Sequence, residues 1–216
     1  MKLFVSGRAP SPRRVQIFVA EKGLELPTES VSIGKGEQFS AEFTRLNPDN
    51  LLPALVRDDG TVLGESIAIC RYLEALYPTP ALFGDTPEQI GAIEMWLRRL
   101  ELLAYLPAQE AYRNRHPFFA DRGWPGWRQG MPQIPELVAR ANRIMGRTLE
   151  TLELQLEAQP FVAGPAFSMA DIVALTTLDF AQDSGMEAVS DLAGFAHLAR
   201  WRAEVSGRPS VASLEP

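Results

Sequence analysis

The sequence is poor in residues that cross-link chains or bind structural metals. It contains one cysteine and two histidines among 216 residues. The single cysteine, Cys70, cannot form a disulfide within the chain, and its place on the apolar side of a predicted helix indicates a buried core residue. One cysteine and two histidines also fall short of the four ligands of a structural zinc site, so we expect no metal.

Long apolar runs and blocks of positive charge are missing as well. No stretch approaches membrane-spanning length, and the first residues, MKLFVSGRAP, have too short an apolar run for a signal peptide. The formal net charge of -6 argues against general binding to nucleic-acid phosphates. We therefore expect a cytoplasmic protein that binds neither nucleic acid nor membrane. Two short basic clusters, Arg13–Arg14 and Arg113/Arg115, are interpreted as solvated surfaces or ligand contacts.

The first third of the chain alternates between strand and helix signals. Lys2–Val5 is predicted to be a buried strand. A helix follows, with Ser11 as its expected N-cap and Pro12 at the first helical position. Thr28–Ile33 is predicted as a second strand and Gln38–Leu46 as a short helix.

The stretch from Asn47 to Pro78 carries the clearest pattern. It predicts a strand, a turn at Asp58–Gly60, a return strand and a helix that ends before Pro78. Together with the preceding segments, this gives the order β-α-β-α-β-β-α in residues 1–78, which is typical of a thioredoxin-like domain.

Two features of this stretch predict a binding site. Pro53, at the beginning of a strand, can take the cis form and so turn the backbone of Leu52 toward a ligand. Glu65–Ser66 opens a helix, where unpaired N–H groups and the positive dipole end attract a carboxylate. Such a site suits a small peptide with free α-amino and α-carboxylate groups. The alternative interpretation is an ordinary strand entry and helix start.

The remainder of the chain predicts an all-helical domain, so the fold class is α/β plus all-α. Residues 79–87, rich in proline, are expected to be an interdomain linker and residues 88–216 to be helical. Pro107 should kink the first long helix, because proline lacks the N–H that the preceding turn needs. Ser168–Asp171 reads as a capping box. Long helices are expected at Glu88–Arg115, Pro135–Ala158 and Asp191–Ser206.

Three segments resemble the glutathione S-transferase superfamily in their order and spacing: LLPAL, GESIAICRYLEALYP and FVAGPAFSMADIVAL. The N-terminal segment APSPRRVQIFVAEKG is most similar to a bacterial and fungal subgroup that includes the yeast type-two and nu-like transferases. The resemblance covers nearly the whole chain and implies a homodimer with glutathione as co-substrate. This fold also hosts non-catalytic members.

The resemblance implies a role for each residue of the predicted binding site. Pro53 would be cis, and Leu52 would pair through its backbone with the cysteinyl part of glutathione. Glu65 and Ser66 would hold the γ-glutamyl end. The glycyl carboxylate would lie near two polar residues that otherwise read as a solvated turn, Lys35 and Gln38.

The group that would activate the thiol departs from the family pattern. The usual Ser or Cys before proline is Ala9 here, so Ser11, where nu-like relatives carry Asn, becomes the candidate donor to sulfur. Its alternative role is a plain helix cap. Yeast-like relatives instead use a helical-domain His that holds an activating water. Asn114 stands at that position and His116 lies two residues on, with a helix-end role as the alternative.

The second substrate would bind between the domains, in an apolar pocket for which the candidates are Tyr105, Tyr112 and Trp124. The expected function is a glutathione transferase that acts on a small electrophile. One alternative is glutathione-dependent reduction of disulfides or peroxides, for which glutathione itself would supply the thiol. The other is a non-catalytic module that uses this fold to bind protein partners.

Overall fold

The computed structural model describes residues 1–7 and 9–214. These residues form two compact units. The first comprises Met1–Pro80 together with Pro125–Arg128, and the second comprises Ala81–Trp124 and the chain from Gln129 onward. The division after Pro80 falls inside the predicted linker. The last two residues of the predicted helical domain, 215 and 216, lie outside the described residues.

The first unit is built on a four-stranded sheet. Its strands are β1 (Lys2–Val5), β2 (Thr28–Ser30), β3 (Ala54–Val56) and β4 (Val62–Leu63). Their order is β2-β1-β3-β4, with β1 and β2 parallel and the other pairs antiparallel. The helices of this unit are α1 (Pro10–Glu21), α2 (Ala41–Leu46) and α3 (Ser66–Leu76). This arrangement confirms the predicted thioredoxin-like fold.

The apolar faces of α1 and α3 pack into the core of the first unit, together with strand residues such as Leu3 and Leu55. Ile17 and Phe18 of α1 and Ile69 of α3 have no exposed surface. Cys70, predicted to be a core residue, is also fully buried, and this burial raises the pKa of its thiol. A thiol in such surroundings stays protonated and takes no part in thiolate chemistry.

The start of α1 differs from the prediction. Ala9 is the N-cap and Pro10 occupies the first helical position, so Ser11 is the second helical residue and not the cap. Pro10 fits there because the first N–H of a helix has no intrahelical acceptor. The prediction failed because Pro10 and Pro12 are both compatible with the first turn.

The predicted helix Gln38–Leu46 is interrupted. A 3-10 turn covers Glu37–Phe39, and α2 begins only after Ser40. Ser40 has an extended backbone, and its hydroxyl oxygen accepts a hydrogen bond from the N–H of Phe43 at 3.1 Å. This serine therefore starts a new helix.

The second unit is helical. The predicted helix Glu88–Arg115 consists of α4 (Pro87–Leu100), a π-helical stretch (Glu101–Tyr105) and α5 (Leu106–Arg115). The π-helical stretch ends just before Pro107, and such wide turns relieve the hydrogen-bond pattern where a residue cannot fit a regular α-helix. The remaining helices are α6 (Glu136–Ala158), α7 (Met169–Asp183), α8 (Ala196–Ser206) and α9 (Pro209–Ala212).

The predicted capping box at the start of α7 is present. The Asp171 carboxylate accepts a hydrogen bond from the Ser168 N–H at 2.9 Å, and the Ser168 side chain caps the helix in return. Asp171 also accepts from the Val162 N–H at 2.9 Å and from Trp201 Nε1 at 2.8 Å. Burial raises the pKa of this carboxyl, while these hydrogen bonds lower it. The predicted last helix is shorter than expected, because α8 begins at Ala196 and not at Asp191.

Within residues 1–7 and 9–214, no helix combines the length and the apolarity needed to cross a membrane.

Candidate functional site

The register of the sheet brings several loops to one of its ends. Val5 pairs with Ser30 in the parallel β1–β2 pair, so both strands leave the sheet at the same end. Ala54, the first residue of β3, lies opposite Phe4 near the finish of β1. Leu63, the last residue of β4, lies opposite the second residue of β3. The segments that follow β1, β2 and β4 and the segment that precedes β3 therefore meet at one end of the sheet.

Every candidate residue in the first unit belongs to one of those segments. Ser11 follows β1 at the start of α1, two polar residues follow β2, and the proline pair precedes β3. The helix start at α3 follows β4. The candidates that share this end of the sheet are Ser11, Lys35, Gln38, Leu52, Pro53, Glu65 and Ser66.

The Leu52–Pro53 pair enters β3 with an unpaired backbone. The peptide bond between these residues is cis. Among the described residues, neither the N–H nor the C=O of Leu52 has a hydrogen-bond partner. Buried or half-buried backbone groups are nearly always paired with protein, water or ligand. The backbone of Leu52 can therefore pair with an extended ligand.

The start of α3 combines a strained residue with an anion-binding geometry. Glu65 has φ of 62°, a left-handed value that is uncommon for residues other than glycine, and its side chain is exposed. Ser66, the first residue of α3, is buried. The N–H groups of the first helical turn have no intrahelical acceptor, and the helix dipole is positive there. This turn can bind a carboxylate.

The two polar residues after β2 have different environments. Lys35 is exposed on the turn, where its backbone N–H donates to the hydroxyl oxygen of Ser32 at 3.3 Å. Gln38 is only 6% exposed, and its Oε1 atom is buried without a hydrogen-bond partner in the described residues. A buried, unpaired amide oxygen costs free energy unless a ligand or water pairs with it.

The candidate catalytic residues of the second unit are already bonded within that unit. Asn114 is buried; its Nδ2 donates to the Glu110 carbonyl at 2.9 Å and its Oδ1 accepts from the Ile134 N–H at 2.7 Å. His116 follows the end of α5, and its Nδ1 accepts the N–H of Phe118 at 3.2 Å. Both residues thus tie α5 to the chain that follows it. Their catalytic role remains a prediction.

The aromatic candidates for the second substrate divide into two groups. Tyr105 and Tyr112 are half-buried and share a neighbour in Phe180, whose ring centroid lies 6.4 Å from the first and 5.5 Å from the second. Trp124 is 48% exposed, and among the described residues its ring contacts no other aromatic ring. The structure therefore groups the two tyrosines and leaves Trp124 apart from them.

The arginines show what the sequence interpretation missed. The interpretation of Arg13 and Arg14 as a solvated surface is wrong, because Arg13 is 5% exposed and Arg14 is 1% exposed. The other interpretation, ligand contacts, stays a prediction. The two arginines occupy consecutive positions inside α1. The spacing of the apolar residues in this helix predicts its buried face, but it does not predict that charged side chains are buried beside them. Arg113 is half-buried as well, and its guanidinium carbon lies 4.5 Å from the centroid of the Phe119 ring.

Comparisons with known proteins agree with this architecture. The family model described as glutathione S-transferase, N-terminal domain, matches residues 9–76, and the corresponding C-terminal domain model matches residues 109–209. Glutathione S-transferase 2 of Saccharomyces cerevisiae is 31% identical over 223 residues, which cover 99% of this chain and 89% of the relative.

Solved structures show the same relationship. The crystal structure of Gtt2 from Saccharomyces cerevisiae has a TM-score of 0.87 at 30% identity, with all of both chains covered. A class Gtt2 glutathione S-transferase of Vibrio parahaemolyticus has a TM-score of 0.81 at 29% identity and covers 99% of this chain and 97% of its own. The chain therefore belongs to the glutathione S-transferase family.

Proposed function

We propose that this protein binds glutathione and uses its thiolate to attack an electrophilic small molecule. The observation that carries this proposal is the unpaired backbone of Leu52. An extended peptide can donate to one of these groups and accept from the other, as an added strand does at a sheet edge. Glutathione is a short peptide whose cysteinyl residue has both groups available.

The neighbouring segments suit the two charged ends of glutathione. In our proposal, the γ-glutamyl carboxylate binds at the first turn of α3, with Ser66 contributing its N–H and hydroxyl. The exposed Glu65 carboxylate pairs with the γ-glutamyl amine. The Lys35 ammonium and the amide N–H groups of Gln38 donate to the glycyl carboxylate. The positive φ of Glu65 supports this assignment, because strained backbone concentrates at binding sites.

Catalysis requires that the bound thiol lose its proton near neutral pH. A free thiol has a pKa of about 8.5, so only about 3% is ionised at pH 7. Lowering that pKa by about 2 units makes most of the thiol ionised, at a differential stabilisation of about 2.7 kcal/mol. A hydrogen-bond donor to sulfur, a helix N-terminus, or both can supply this stabilisation of the thiolate.

We assign the donor to Ser11. It is the second residue of α1, so its hydroxyl lies in the first turn, where the helix dipole also favours a negative charge. Ala9, at the usual donor position, has no polar side chain. The fully buried Cys70, the single cysteine of the chain, leaves the sulfur chemistry to glutathione itself.

The proposed reaction forms one carbon–sulfur bond. The thiol releases its proton to solvent, and a sulfur lone pair attacks the electrophilic carbon. The leaving group departs with the electrons of its own bond. Tyr105, Tyr112 and Trp124 are the residues that we propose to contact this second substrate. We further expect a cytoplasmic homodimer with a detoxifying role, and analytical sedimentation tests the oligomeric state.

Calorimetric titration with glutathione tests the binding step. We expect saturable binding below millimolar concentration, and Ser66→Ala should weaken it by about tenfold through loss of the hydroxyl's hydrogen bond to a charged group. Absence of binding at millimolar glutathione would refute both enzymatic functions and favour a protein-interaction module. A glutathione–disulfide exchange assay beside a glutathione–electrophile assay then distinguishes the reductase from the transferase.

Ultraviolet titration of the bound thiolate tests Ser11. In Ser11→Ala the thiol pKa should rise by about 1–2 units, whereas Ser11→Thr, which keeps the hydroxyl, should retain most of the effect. Asn114→Ala and His116→Ala provide the comparison. If either of these raises the thiol pKa and Ser11→Ala does not, the activating group lies on the helical unit.

A further inference from the structure

Two arginines of the second unit lie over aromatic rings without a carboxylate partner. The guanidinium carbon of Arg113 is 4.5 Å from the centroid of Phe119, and that of Arg122 is 4.3 Å from the centroid of Phe118. Arg113 Nη1 donates to the carbonyl oxygen of Arg122 at 2.9 Å. Within residues 1–7 and 9–214, neither guanidinium forms a salt bridge.

The acidic residues nearest in sequence are engaged elsewhere. Glu110, on the same helix as Arg113, lies 3.6 Å from Arg140 Nη2. Asp121, next to Arg122, accepts a hydrogen bond from the N–H of Gly130 at 2.9 Å. The chain as a whole carries 27 acidic and 21 basic residues, so a shortage of acids does not explain the two uncompensated cations.

This positive charge adjoins the two tyrosines proposed to contact the second substrate. Arg113 follows Tyr112 directly on α5, and the two share Phe119, whose ring centroid lies 5.2 Å from that of Tyr112 and 4.5 Å from the Arg113 guanidinium carbon. Tyr105 joins this group through Phe180, which also contacts Tyr112. Burial lowers the pKa of Arg113 to about 10; the tyrosines partly offset this, and Arg122 adds to it. The guanidinium therefore remains charged at neutral pH while it has lost part of its hydration.

We infer that the preferred electrophiles of this protein carry a carboxylate on an aromatic ring, and that Arg113 selects them by pairing with that carboxylate. The inference rests on the proposed transferase function. A partly dehydrated cation gains more from an anion than an exposed one does, because water screens the pair less. The planar guanidinium can also bind both carboxylate oxygens. The rings of Tyr105, Tyr112 and Phe180 provide apolar surface for the aromatic part of the substrate.

A matched pair of electrophiles tests this. In 4-chloro-3-nitrobenzoate and 4-chloro-3-nitrobenzamide, glutathione thiolate forms a carbon–sulfur bond at the ring, and chloride leaves with the electrons of the carbon–chlorine bond. Each kcat/KM is divided by the rate constant of the uncatalysed reaction. This corrects for the different activation of the two rings. The wild-type protein should prefer the benzoate by about tenfold or more.

Two arginine variants assign that preference to a residue. Arg113→Gln should lower the ratio of benzoate to benzamide kcat/KM by about tenfold or more. Arg113→Lys keeps the charge but lacks the paired N–H donors of the guanidinium, so it should lower this ratio by less. Arg143→Gln is the matched control, since Arg143 is exposed on α6 and no carboxylate of the described residues pairs with it. It should leave the ratio unchanged.

The possible results separate this inference from the proposed function. Turnover of both electrophiles without a preference in the wild type, or an unchanged ratio in Arg113→Gln, overturns the inference alone. A merely structural Arg113 would lower both rates together and leave their ratio constant. If wild-type protein turns over neither compound, the transferase function fails and the inference fails with it. If Arg113→Gln does not fold, the ratio of benzoate to benzamide kcat/KM in Arg113→Lys is compared with that in the wild type, and an unchanged ratio overturns the inference.

Discussion

The hydroxyl of Thr148 on α6 donates a hydrogen bond to the carbonyl oxygen of Leu103 across 2.7 Å, with the Ile144 carbonyl of its own helix as a second acceptor at 2.9 Å. In a regular α-helix that carbonyl would accept the N–H of residue 107, but Pro107 has none. Thr148 is buried. We expect Thr148→Val, which keeps the shape and removes the hydroxyl, to lower the free energy of unfolding by about 1–2 kcal/mol. Urea denaturation followed by circular dichroism measures this.

A control and a double-mutant cycle make this prediction specific. Thr151→Val removes a hydroxyl that bonds only to the Arg147 carbonyl of its own helix on an exposed face, so it should change stability by less than about 0.5 kcal/mol. In a Pro107→Ala background, the restored N–H of residue 107 can donate to the Leu103 carbonyl. Thr148→Val should then lower the free energy of unfolding by less than it does in the wild type. An equal cost in both backgrounds would contradict the proposed link to Pro107.

Gln38→Leu should have opposite effects on stability and on binding. The buried Gln38 Oε1 has no partner in the described residues, so the apolar variant should keep or raise the free energy of unfolding by up to about 1 kcal/mol. It should weaken glutathione binding by about tenfold, because the amide N–H groups of this side chain are proposed to donate to the glycyl carboxylate. Calorimetry measures the affinity, with the exposed Gln89→Leu as control. Unchanged affinity would remove Gln38 from the proposed site.

Local patterns were sufficient to predict the elements that carry the proposed glutathione site. The strand entry at Leu52–Pro53 and the helix start at Ser66 depend on proline, glycine and helix-start chemistry within a few residues. The capping box of Ser168 and Asp171 is equally local. Such features can be found from sequence because the interacting groups are close together along the chain.

The features that were missed depend on contacts distant in sequence. The hydrogen bond from Thr148 to Leu103 spans 45 residues. Pro107 predicts a distortion of the helix, but not that the distortion is a π-helical stretch. The burial of Arg113 depends on the rings that pack around it after folding. The position of Ser11 was mispredicted for a different reason. Pro10 and Pro12 are both compatible with the first helical position, and local rules do not distinguish between them.

Lys22→Met should be strongly destabilising. The Lys22 side chain is completely buried, and its Nζ lies 2.5 Å from a Glu74 carboxylate oxygen and 2.9 Å from the Tyr77 carbonyl oxygen; the Pro80 carbonyl is a third acceptor. Removing the ammonium deprives the mostly buried Glu74 carboxylate of this ion pair and leaves two carbonyl oxygens without the donor. We expect a loss of about 3–5 kcal/mol in the free energy of unfolding. Thermal and urea unfolding both measure it.

The matched control for this lysine lies on the surface of the same unit. Lys2 forms an ion pair with Glu29, but both side chains are about half exposed. Lys2→Met should therefore cost less than about 1 kcal/mol, since water screens the pair. A similar cost for both variants would mean that burial of Lys22 adds nothing to the strength of its interactions.

Gly126 lies in the Pro125–Arg128 segment, which belongs to the first unit. Its φ is 79°, and a Cβ atom at this position would lie only 2.7 Å from the Asp49 carbonyl oxygen. Gly130 has nearly the same backbone, with φ of 81°, but a Cβ there would meet no atom within 4 Å. The two glycines therefore separate the cost of a left-handed backbone from the cost of a clash.

We expect Gly130→Ala to cost about 1–2 kcal/mol, the penalty of the left-handed backbone alone. Gly126→Ala should cost at least about 1 kcal/mol more, because a backbone carbonyl cannot move aside as a flexible side chain can. The cheaper response is displacement of the segment, which would free the backbone around the already exposed Arg128 for cleavage by trypsin. Faster cleavage there in Gly126→Ala than in Gly130→Ala, identified by mass spectrometry, is the expected result. Equal stability and equal cleavage in the two variants would show that contact with Asp49 does not hold the segment in place.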